Sequence, residues 1–414
     1  MNNTLIRVGI LVADKIRFQL DNGIEQEVYV ENSVLCFEGK HYDELLFDKQ
    51  KTFTLYDVKI GIDFHWQQKN NQTFFGVLRF VVENNRVRAI NVLPVEEYLV
   101  SVISSEMNEN SSLEFLKAHA VISRSWVMSK LLSIPKKSEN CFEMRSENNY
   151  KVIKWYNNEN HTLFDVCADD HCQRYQGIIY QSTSNARDAV ESTRGKVLMY
   201  MNEICDARFS KCCGGVLEQF EYCWEDESKP YLCAKRDENT KLNMDLTNEE
   251  EAKQWIMSVP KSFCNTTDEQ ILSQVLKQYD QTTNFYRWIV KYSTSEISDI
   301  VRQKTQLNIG EITDIIPLAR GKSGRIWRLQ IAGTEGTLVI GKELEIRRVL
   351  SKTHLYSSAF VVEKQTEGFI LHGAGWGHGV GLCQIGAAMM GEQGYHYDEI
   401  LQHYYPHAEI KTID

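Results

Sequence analysis

The segment Leu93–Met107 constrains this chain most, because it predicts a short amphipathic helix that ends in a single carboxylate. Pro94 suits the first turn of a helix, where its missing N–H is not needed. Three apolar residues then follow at helical spacing and predict one apolar face: Val95, Leu99 and Val102. Glu106 is the next position on that stripe, so we expect its side chain on the packed side of the helix.

A carboxylate on the packed side has two interpretations. Burial disfavours its charged form, and a general acid that works near neutral pH requires this. The alternative is structural, with Glu106 at a fraying helix end and paired with a buried arginine. The helical pattern alone does not separate the two.

Composition bounds the fold and excludes two classes of function. The chain has 414 residues, of which 43% are apolar and 25% charged, enough for two or three domains. The net charge is −10 and no Lys/Arg-rich run occurs, which argues against nucleic-acid binding. No apolar run reaches the roughly 18 residues that a membrane-spanning helix needs.

The N-terminus does not resemble a signal peptide, so either a leader was removed or the protein is made without one, and together with the cysteines this suggests the cytoplasm. Met1–Asp14 lacks a basic region, and Arg7 interrupts its apolar part, so Leu5–Val12 is predicted as a strand instead. Eleven cysteines are an odd number, and Cys212 and Cys213 are adjacent. Free thiols and a metal site explain this better than a disulfide framework.

The sequence predicts an α+β fold with a β-rich platform, a short helical catalytic segment and a second β-rich lobe. Four parts are predicted: a β platform (1–92), helices with cysteine-containing loops (93–227), a helix-prone insertion (228–283) and a β lobe that ends in a glycine-rich loop (284–414). In the platform, Asn84 and Asn85 predict a hairpin turn.

A second helix is predicted to start at a capping box formed by Ser111 and Glu114. Lys117 and Arg124 are seven residues apart on this helix and therefore share a face. The residues alone favour a solvated cationic face.

Two histidines and two cysteines fall within twelve residues: His161, Cys167, His171 and Cys172. These are four ligands of the kind that zinc prefers in tetrahedral geometry. The spacing is not that of a zinc finger, and the alternative is a chance cluster with an exposed histidine and buried thiols. Because His171 and Cys172 are adjacent, it is open whether both reach one ion.

The stretch His372–Ala387 has a glycine at every second position from 373 to 381. Alternation in an extended chain predicts Trp376 and His378 on one side, where an aromatic plane beside an imidazole suits a sugar. A dinucleotide-binding loop is not indicated, because a preceding strand, a βαβ context and a downstream acid are lacking.

The segment Cys205–Gly215 contains a pair of glycines, which let the backbone approach a ligand closely. Its Cys213 is also a candidate nucleophile if His378 acts as the base. A cysteine peptidase or amidase is therefore an alternative function.

Pro94–Lys130 resembles the core of the SpoIID/LytB family, which is named after stage II sporulation protein D. The family pattern L-P-x-E-x-Y-L … E-M is matched at residues 93–107, and L-x-x-L-K-A-Q-A-x-A-x-R-x-Y is matched at 113–126 with His119 for Gln and Trp126 for Tyr. Residues 161–175, 205–215, 372–387 and 397–406 resemble further segments of the family.

The resemblance implies a lytic transglycosylase that cuts peptidoglycan glycan strands in the cell envelope, with Glu106 as the catalytic residue and no cofactor in the reaction. It also implies a zinc ion, to which we assign a structural role, bound by His161, Cys167 and Cys172 with His171 as the fourth candidate. Further substrate-binding candidates are Lys117, Arg124, Ser210, Cys213, Gly214, Trp376, His378 and Gln384. Some members are named amidase enhancers, so a non-catalytic wall-binding partner of an amidase is the alternative.

Overall fold

The computed structural model describes residues 4–21, 23–61, 67–108, 111–132, 141–146, 148–156, 161–169, 171–178, 183–276 and 284–413. The chain forms two compact units. Unit 1 comprises Met1–Pro135, Asn158–Asp206 and Ile410–Asp414, and unit 2 comprises Lys136–Asn157 and Ala207–Glu409. The predicted four-part division stays a prediction, and its boundaries are not those of the two units.

Strands and helices are mixed along the chain, which confirms the predicted α+β class. The strands are β1 (Leu5–Ala13), β2 (Lys15–Leu20), β3 (Glu25–Glu31), β4 (Val34–Phe37), β5 (Lys40–Tyr42), β6 (Glu44–Phe47), β7 (Thr52–Ile60), β8 (Gln68–Phe75), β9 (Val77–Glu83), β10 (Arg86–Pro94), β11 (Cys141–Ser146), β12 (Asn149–Lys154), β13 (Val166–Cys167), β14 (Lys196–Tyr200), β15 (Glu203–Ile204), β16 (Phe209–Ser210), β17 (Arg287–Ser293), β18 (Ile312–Arg320), β19 (Ile326–Gly333), β20 (Thr337–Gly341), β21 (Phe360–Gln365), β22 (Gly368–Ala374), β23 (Leu382–Cys383) and β24 (Glu409–Thr412).

The helices are α1 (Val95–Glu106), α2 (Leu113–Leu132), α3 (Thr183–Ser192), α4 (Glu249–Met257), α5 (Glu269–Val275), α6 (Thr294–Thr305), α7 (Glu343–Val349), α8 (Gln384–Glu392) and α9 (Tyr397–Tyr404), with a 3-10 turn at Phe220–Tyr222. Within the described ranges, every helix is too short or too polar to cross a bilayer.

Two sheets form the platform of unit 1, with strand orders β13-β1-β10-β9-β6 and β5-β4-β3-β2-β7-β8. Aromatic side chains fill the core of the platform, and the ring of Phe18 on β2 lies 5.0 Å from that of Phe80 on β9. Asn84 and Asn85 both have positive φ, 50° and 60°, as a two-residue hairpin turn requires. They connect β9 to β10, which confirms the predicted turn.

The platform leads directly into the helices, because β10 ends at Pro94 and α1 begins at the next residue. The cap of α2 differs from the prediction by one residue, since the Ser112 hydroxyl accepts a hydrogen bond from the Phe115 N–H. Residues on all sides of α2 are buried, so it is an interior helix rather than a surface one.

Unit 2 contains a five-stranded sheet of order β11-β12-β20-β19-β18 and a three-stranded sheet of order β17-β22-β21. Its core includes Ile326, Leu329 and Leu338, all fully buried. The hairpin of β11 and β12 was not predicted from the sequence, and β12 pairs in parallel with β20, far along the chain.

Candidate functional site

Glu106 is the last residue of α1, and its side chain is half-buried. Its Oε1 accepts a hydrogen bond of 3.2 Å from the backbone N–H of Arg174. The carboxylate is therefore oriented by a backbone group and remains accessible at the end of a packed helix.

The segment 173–177 lies along α1 and is attached to it at several points. Three further hydrogen bonds make this connection: Tyr98 Oη to Gln173 Oε1 (3.1 Å), Gln176 N to Ser105 Oγ (3.0 Å) and Ser101 Oγ to Gly177 O (2.7 Å). The same short segment that donates to Glu106 is thus fixed to the helix that carries it.

The residues just before this segment are anchored to the platform. β13 pairs in parallel with β1, with Cys167 opposite Gly9. A side chain at Gly9 would lie 2.7 Å from the ring of Phe164, so the close approach requires a glycine. Arg7 and Asp165 add an ion pair of 2.6 Å beside the strand.

The four predicted metal ligands come together on this loop. One ligand atom from each of His161, Cys167, His171 and Cys172 lies within 4.8 Å of all the others. Cys172 Sγ is 3.5 Å from His161 Nε2 and 3.8 Å from His171 Nδ1. A tetrahedral zinc ion with Zn–S of about 2.3 Å and Zn–N of about 2.0 Å separates adjacent S and N ligands by about 3.5 Å. The donor set therefore fits one such ion, and the adjacent His171 and Cys172 both reach it.

The electrostatics of the loop link the cluster to Glu106. Hydrogen bonds with Cys172, His161 and His171 hold the pKa of Cys167 far below its usual range. Burial raises the pKa of the Tyr98 hydroxyl well above 10, and charges on the two cysteines and on Glu106 raise it further. The thiols and the carboxylate are therefore neighbours of the same tyrosine.

A cleft on the other face of α1 does not include Glu106. Glu97 and Ser104 line this cleft together with Arg187, which pairs with Glu97 at 3.0 Å. At about 100° per residue, Glu106 points roughly 180° away from Glu97. The cleft therefore does not belong to the candidate catalytic site.

The prediction of a solvated cationic face on α2 is wrong. Arg124 is fully buried, and its guanidinium donates to both carboxylate oxygens of Glu96, at 3.0 and 2.8 Å. It also donates to the backbone oxygen of Lys196 at 3.1 Å. Arg124 is a structural cross-link and cannot contact a sugar in this conformation, while Lys117 pairs with Glu114 at 2.7 Å.

The two departures from the family pattern are also interior. His119 is fully buried, its ring lies 3.2 Å from the Ser123 hydroxyl, and burial lowers its pKa to about 3. Trp126 is 3% exposed. Both changes therefore affect the packing of α2 rather than a substrate-binding surface.

The remaining predicted residues lie in unit 2, and most of them are buried. Ser210 is 7% exposed, Cys213 2% and Gln384 4%. Gly214 has φ of 77°, and a side chain there would lie 2.9 Å from the backbone nitrogen of Gly375. Gly214 therefore lets two loop backbones approach each other closely. The sequence suggested a close approach to a ligand, whereas the contact is with protein.

The glycine-rich loop is not extended, so the predicted alternation does not apply. Four glycines, at 375, 377, 379 and 381, have φ between 72° and 92°. The ring of Trp376 lies 4.6 Å from Phe285 and 4.7 Å from Tyr356, whereas the ring of His378 lies 4.9 Å from Trp224. The two rings are half-buried in different surroundings.

The sequence analysis did not identify Arg325, the buried side chain against which Gly375 and Gly379 lie. Arg325 is 1% exposed, and a side chain at Gly379 would lie 2.5 Å from its guanidinium carbon. Arg325 donates to the backbone oxygens of Gly377 and Cys213, at 3.2 and 3.1 Å. No local sequence signal indicates this role of Arg325, because the residue lies in a stretch that predicts an ordinary strand.

The surroundings of the loop histidine disfavour its protonated form. Burial, and then the positive charges of Arg208 and Arg325, lower the pKa of His378 well below 6.5. Its Nδ1 accepts a hydrogen bond of 3.0 Å from the Val380 N–H. The thiol of Cys213 lies instead 3.6 Å from that of Cys264, and burial raises its pKa. A reactive cysteine needs a thiolate and access, so the geometry disfavours the peptidase alternative.

Comparison with known proteins identifies the relatives of this chain. Residues 83–200 match the family described as Stage II sporulation protein, a stretch that includes Glu106 and all four candidate metal ligands. The chain is also 24% identical over 332 residues to stage II sporulation protein D of Bacillus subtilis, covering 79% of this chain and 77% of that protein.

Residues 83–200 therefore form a domain of the SpoIID family.

Other relatives extend the comparison. An uncharacterised protein of Brachyspira hyodysenteriae is 26% identical over 372 residues, covering 90% of this chain and 77% of that protein. A Bacillus subtilis protein named amidase enhancer is 26% identical over 331 residues, covering 76% of this chain but only 40% of the relative. Residues 218–381, within unit 2, match a domain of unknown function named DUF8618. The SpoIID match therefore falls mostly in unit 1, apart from residues 136–157, and the DUF8618 match falls in unit 2.

Proposed function

We propose that this SpoIID/LytB family member is a lytic transglycosylase that cuts the bond between N-acetylmuramic acid and N-acetylglucosamine in peptidoglycan. One observation carries the proposal: a single half-buried carboxylate, Glu106, closes α1 and is oriented by the Arg174 N–H. The family match over residues 83–200 supports it. The substrate implies action in the cell envelope.

One carboxylate is sufficient for this reaction. Most glycosidases use two, one as an acid and one as a nucleophile or base. Here the C6 hydroxyl of the muramic acid residue takes the place of the nucleophile. Protonated Glu106 donates its proton to the glycosidic oxygen as the bond from C1 breaks. The resulting carboxylate accepts the C6 hydroxyl proton as O6 bonds to C1, which forms a 1,6-anhydro end and restores the acid without consuming water.

We propose a structural role for zinc at the histidine–cysteine cluster. His161, Cys167, His171 and Cys172 would hold the ion, which supplies a cross-link within the loop when bound. Cys172 is two residues before Arg174, whose N–H donates to Glu106. The loop thereby orients the acid, and the proton transfers themselves need only Glu106 and the sugar.

The test is digestion of peptide-free glycan strands followed by mass spectrometry of the ends. We expect 1,6-anhydromuramic acid ends, which are lighter by one water than hydrolysed ends. Glu106→Gln, whose amide oxygen can still accept the hydrogen bond from the Arg174 N–H, is expected to form these ends about 10²–10⁴-fold more slowly. Reducing ends that contain the added water would contradict the lyase proposal.

The second candidate is a non-catalytic stimulator of a cell-wall amidase, and the name of one Bacillus subtilis relative favours it. This chain spans 40% of that relative's length. The same variant separates the two candidates. A stimulator should bind glycan and enhance the amidase equally well as Glu106→Gln, with no anhydro ends from the wild type.

A further inference from the structure

A second group of metal-ligand side chains lies in the interior of unit 2. One ligand atom from each of Cys213, Asp237, Cys264 and Cys383 lies within 4.8 Å of all the others. All four residues are at most 2% exposed. A fifth residue, Cys212, lies within hydrogen-bonding reach of the Cys264 and Cys383 thiols.

These thiols are neither disulfides nor distant neighbours. All eleven cysteines lie in the described part of the chain, and none of them forms a disulfide there. The Cys213 and Cys264 sulfurs are 3.6 Å apart, against about 2.05 Å for a disulfide bond. Two thiolates on one tetrahedral zinc ion, at about 2.3 Å each, are about 3.8 Å apart. The observed separation is therefore that of two ligands of a shared ion.

Backbone N–H groups point at the sulfurs, as they do around metal-bound thiolates. The Cys213 N–H donates to the Cys383 sulfur at 3.2 Å, and the Gly215 N–H donates to the Cys213 sulfur at 3.4 Å. Gly215 has φ of 104°, a conformation that favours glycine. Free cysteines that merely fill a core need no such donors, whereas hydrogen bonds from outside the ligand set orient metal ligands.

The carboxylate adds negative charge to the same place. Asp237 is completely buried and accepts from the Tyr404 hydroxyl at 2.7 Å and from the Cys264 N–H at 2.9 Å. The closest basic group on it is His403, whose Nε2 is 3.7 Å away. A buried carboxylate beside several thiols is costly unless a cation balances the charge.

We propose that Cys213, Cys264, Cys383 and Asp237 form a second metal site for a single divalent cation of the zinc type. Three sulfurs and one carboxylate oxygen are ligands that zinc accepts, in a closed set without an open position, which indicates a structural site. The ligands come from three separate loops and the start of α8, since Cys213 is 51 residues from Cys264 and 170 from Cys383. The ion cross-links these loops. The proposal does not rest on the transglycosylase activity.

The experiment measures zinc in the full chain, purified under reducing conditions, by elemental mass spectrometry. The variant Cys167→Ser/Cys172→Ser removes the site of unit 1 and is expected to keep one zinc per chain. In that background, zinc X-ray absorption should show three sulfur neighbours at about 2.3 Å and one oxygen neighbour. Absence of bound zinc there would overturn the proposal, and this arm leaves the ligands of unit 2 intact.

Two further variants in the same background test the ligand assignment. Cys264→Ser should lose the remaining zinc, whereas Cys223→Ser, which changes a buried cysteine outside the cluster, should keep it. Folding is checked by circular dichroism. Retention of zinc in folded Cys264→Ser would overturn the assignment. So would alkylation mass spectrometry that finds a disulfide between any two cysteines of the cluster in the native protein.

Discussion

Each unit of the molecule contains a cluster of cysteines beside a carboxylate, and the two clusters differ in their access to solvent. In unit 1, Cys167 and Cys172 are half-buried on a loop next to Glu106, itself half-buried. In unit 2, the cysteines of the cluster and Asp237 are at most 2% exposed. The same ligand chemistry thus occurs once at an accessible helix end and once in the interior.

The difference teaches how similar residues acquire different roles. A group that reacts with a polymer must be reachable, and of the two carboxylates beside the clusters Glu106 is the more exposed, which is why the proposed function uses it. A closed and buried ligand set can contribute only to holding loops together. Four measurements test this difference between the accessible and the buried cluster.

The first measurement tests the accessible carboxylate of unit 1, Glu106. Glu106→Gln should reduce the rate of anhydro-end formation by about 10²–10⁴-fold, because general acid–base catalysis typically contributes that much. The measurement is product release from glycan strands. The melting temperature should be unchanged, since the amide oxygen still accepts from Arg174.

Glu114→Gln is the matched control, because this carboxylate lies on the same unit and pairs with Lys117. Its turnover should match that of the wild type. If Glu106→Gln retained full turnover, the accessible carboxylate would not be the catalyst and the comparison would fail.

The second measurement concerns ion pairs of different burial within unit 1. Arg124→Met leaves the buried Glu96 carboxylate without its partner and should lower the free energy of unfolding by about 3–5 kcal/mol. Arg187→Met breaks the half-exposed pair with Glu97 and should cost at most about 1 kcal/mol. Urea denaturation gives both values. Equal costs would show that burial does not set the strength of these pairs.

The third measurement uses pH and Glu218, which is fully buried in unit 2. Its carboxylate accepts from the Ser323 hydroxyl at 2.7 Å and from the Gln219 N–H at 2.9 Å, but burial dominates and raises its pKa from 4.5 to about 7. Because the folded state holds the Glu218 proton more tightly than the unfolded state does, the contribution of Glu218 to the free energy of unfolding is fully present below pH 4.5. It is lost as the pH rises through 7, by about 3 kcal/mol.

Urea denaturation of unit 2 at pH 5 and at pH 8 tests this expectation. Glu218→Gln, which stays neutral, should remove that part of the pH dependence, whereas Glu367→Gln changes an exposed carboxylate and should not. If the variant and the wild type lose stability in parallel over this range, another group is responsible.

The fourth measurement compares the release of metal from the two proposed sites. A chelator should remove zinc first from the half-exposed cluster of unit 1 and more slowly from the buried cluster of unit 2, because the second release requires local opening. Time-resolved zinc release, with Cys167→Ser/Cys172→Ser lacking the fast phase, measures this. Release of zinc from the wild type in a single phase would contradict a difference in solvent access between the two clusters.

Local features of the fold were predictable from the sequence, because adjacent residues determine them. The turn at Asn84–Asn85 and the helix that ends at Glu106 depend on local backbone preferences and helical periodicity. The four-ligand cluster at 161–172 also spans a short segment, so its members cannot be far apart. Family patterns strengthened the same assignments.

Features that depend on distant partners were not predictable. Helical spacing placed Lys117 and Arg124 on one face, but α2 is buried on all sides, and Arg124 meets Glu96, 28 residues away. Alternation along the glycine-rich loop assumed an extended chain, whereas its glycines adopt positive φ around Arg325. Neither partner is implied by the local pattern.

The sequence alone predicted the residues on which the proposed chemistry depends: one acid at the end of a helix, a compact set of zinc-type ligands, and cysteines that do not form disulfides. Only the tertiary structure decided which of these groups are accessible and which are sealed inside. The reason is physical: side-chain chemistry and local backbone geometry are properties of short segments. Burial and charge pairing arise only when distant segments, such as those of Cys213 and Cys383, pack against each other.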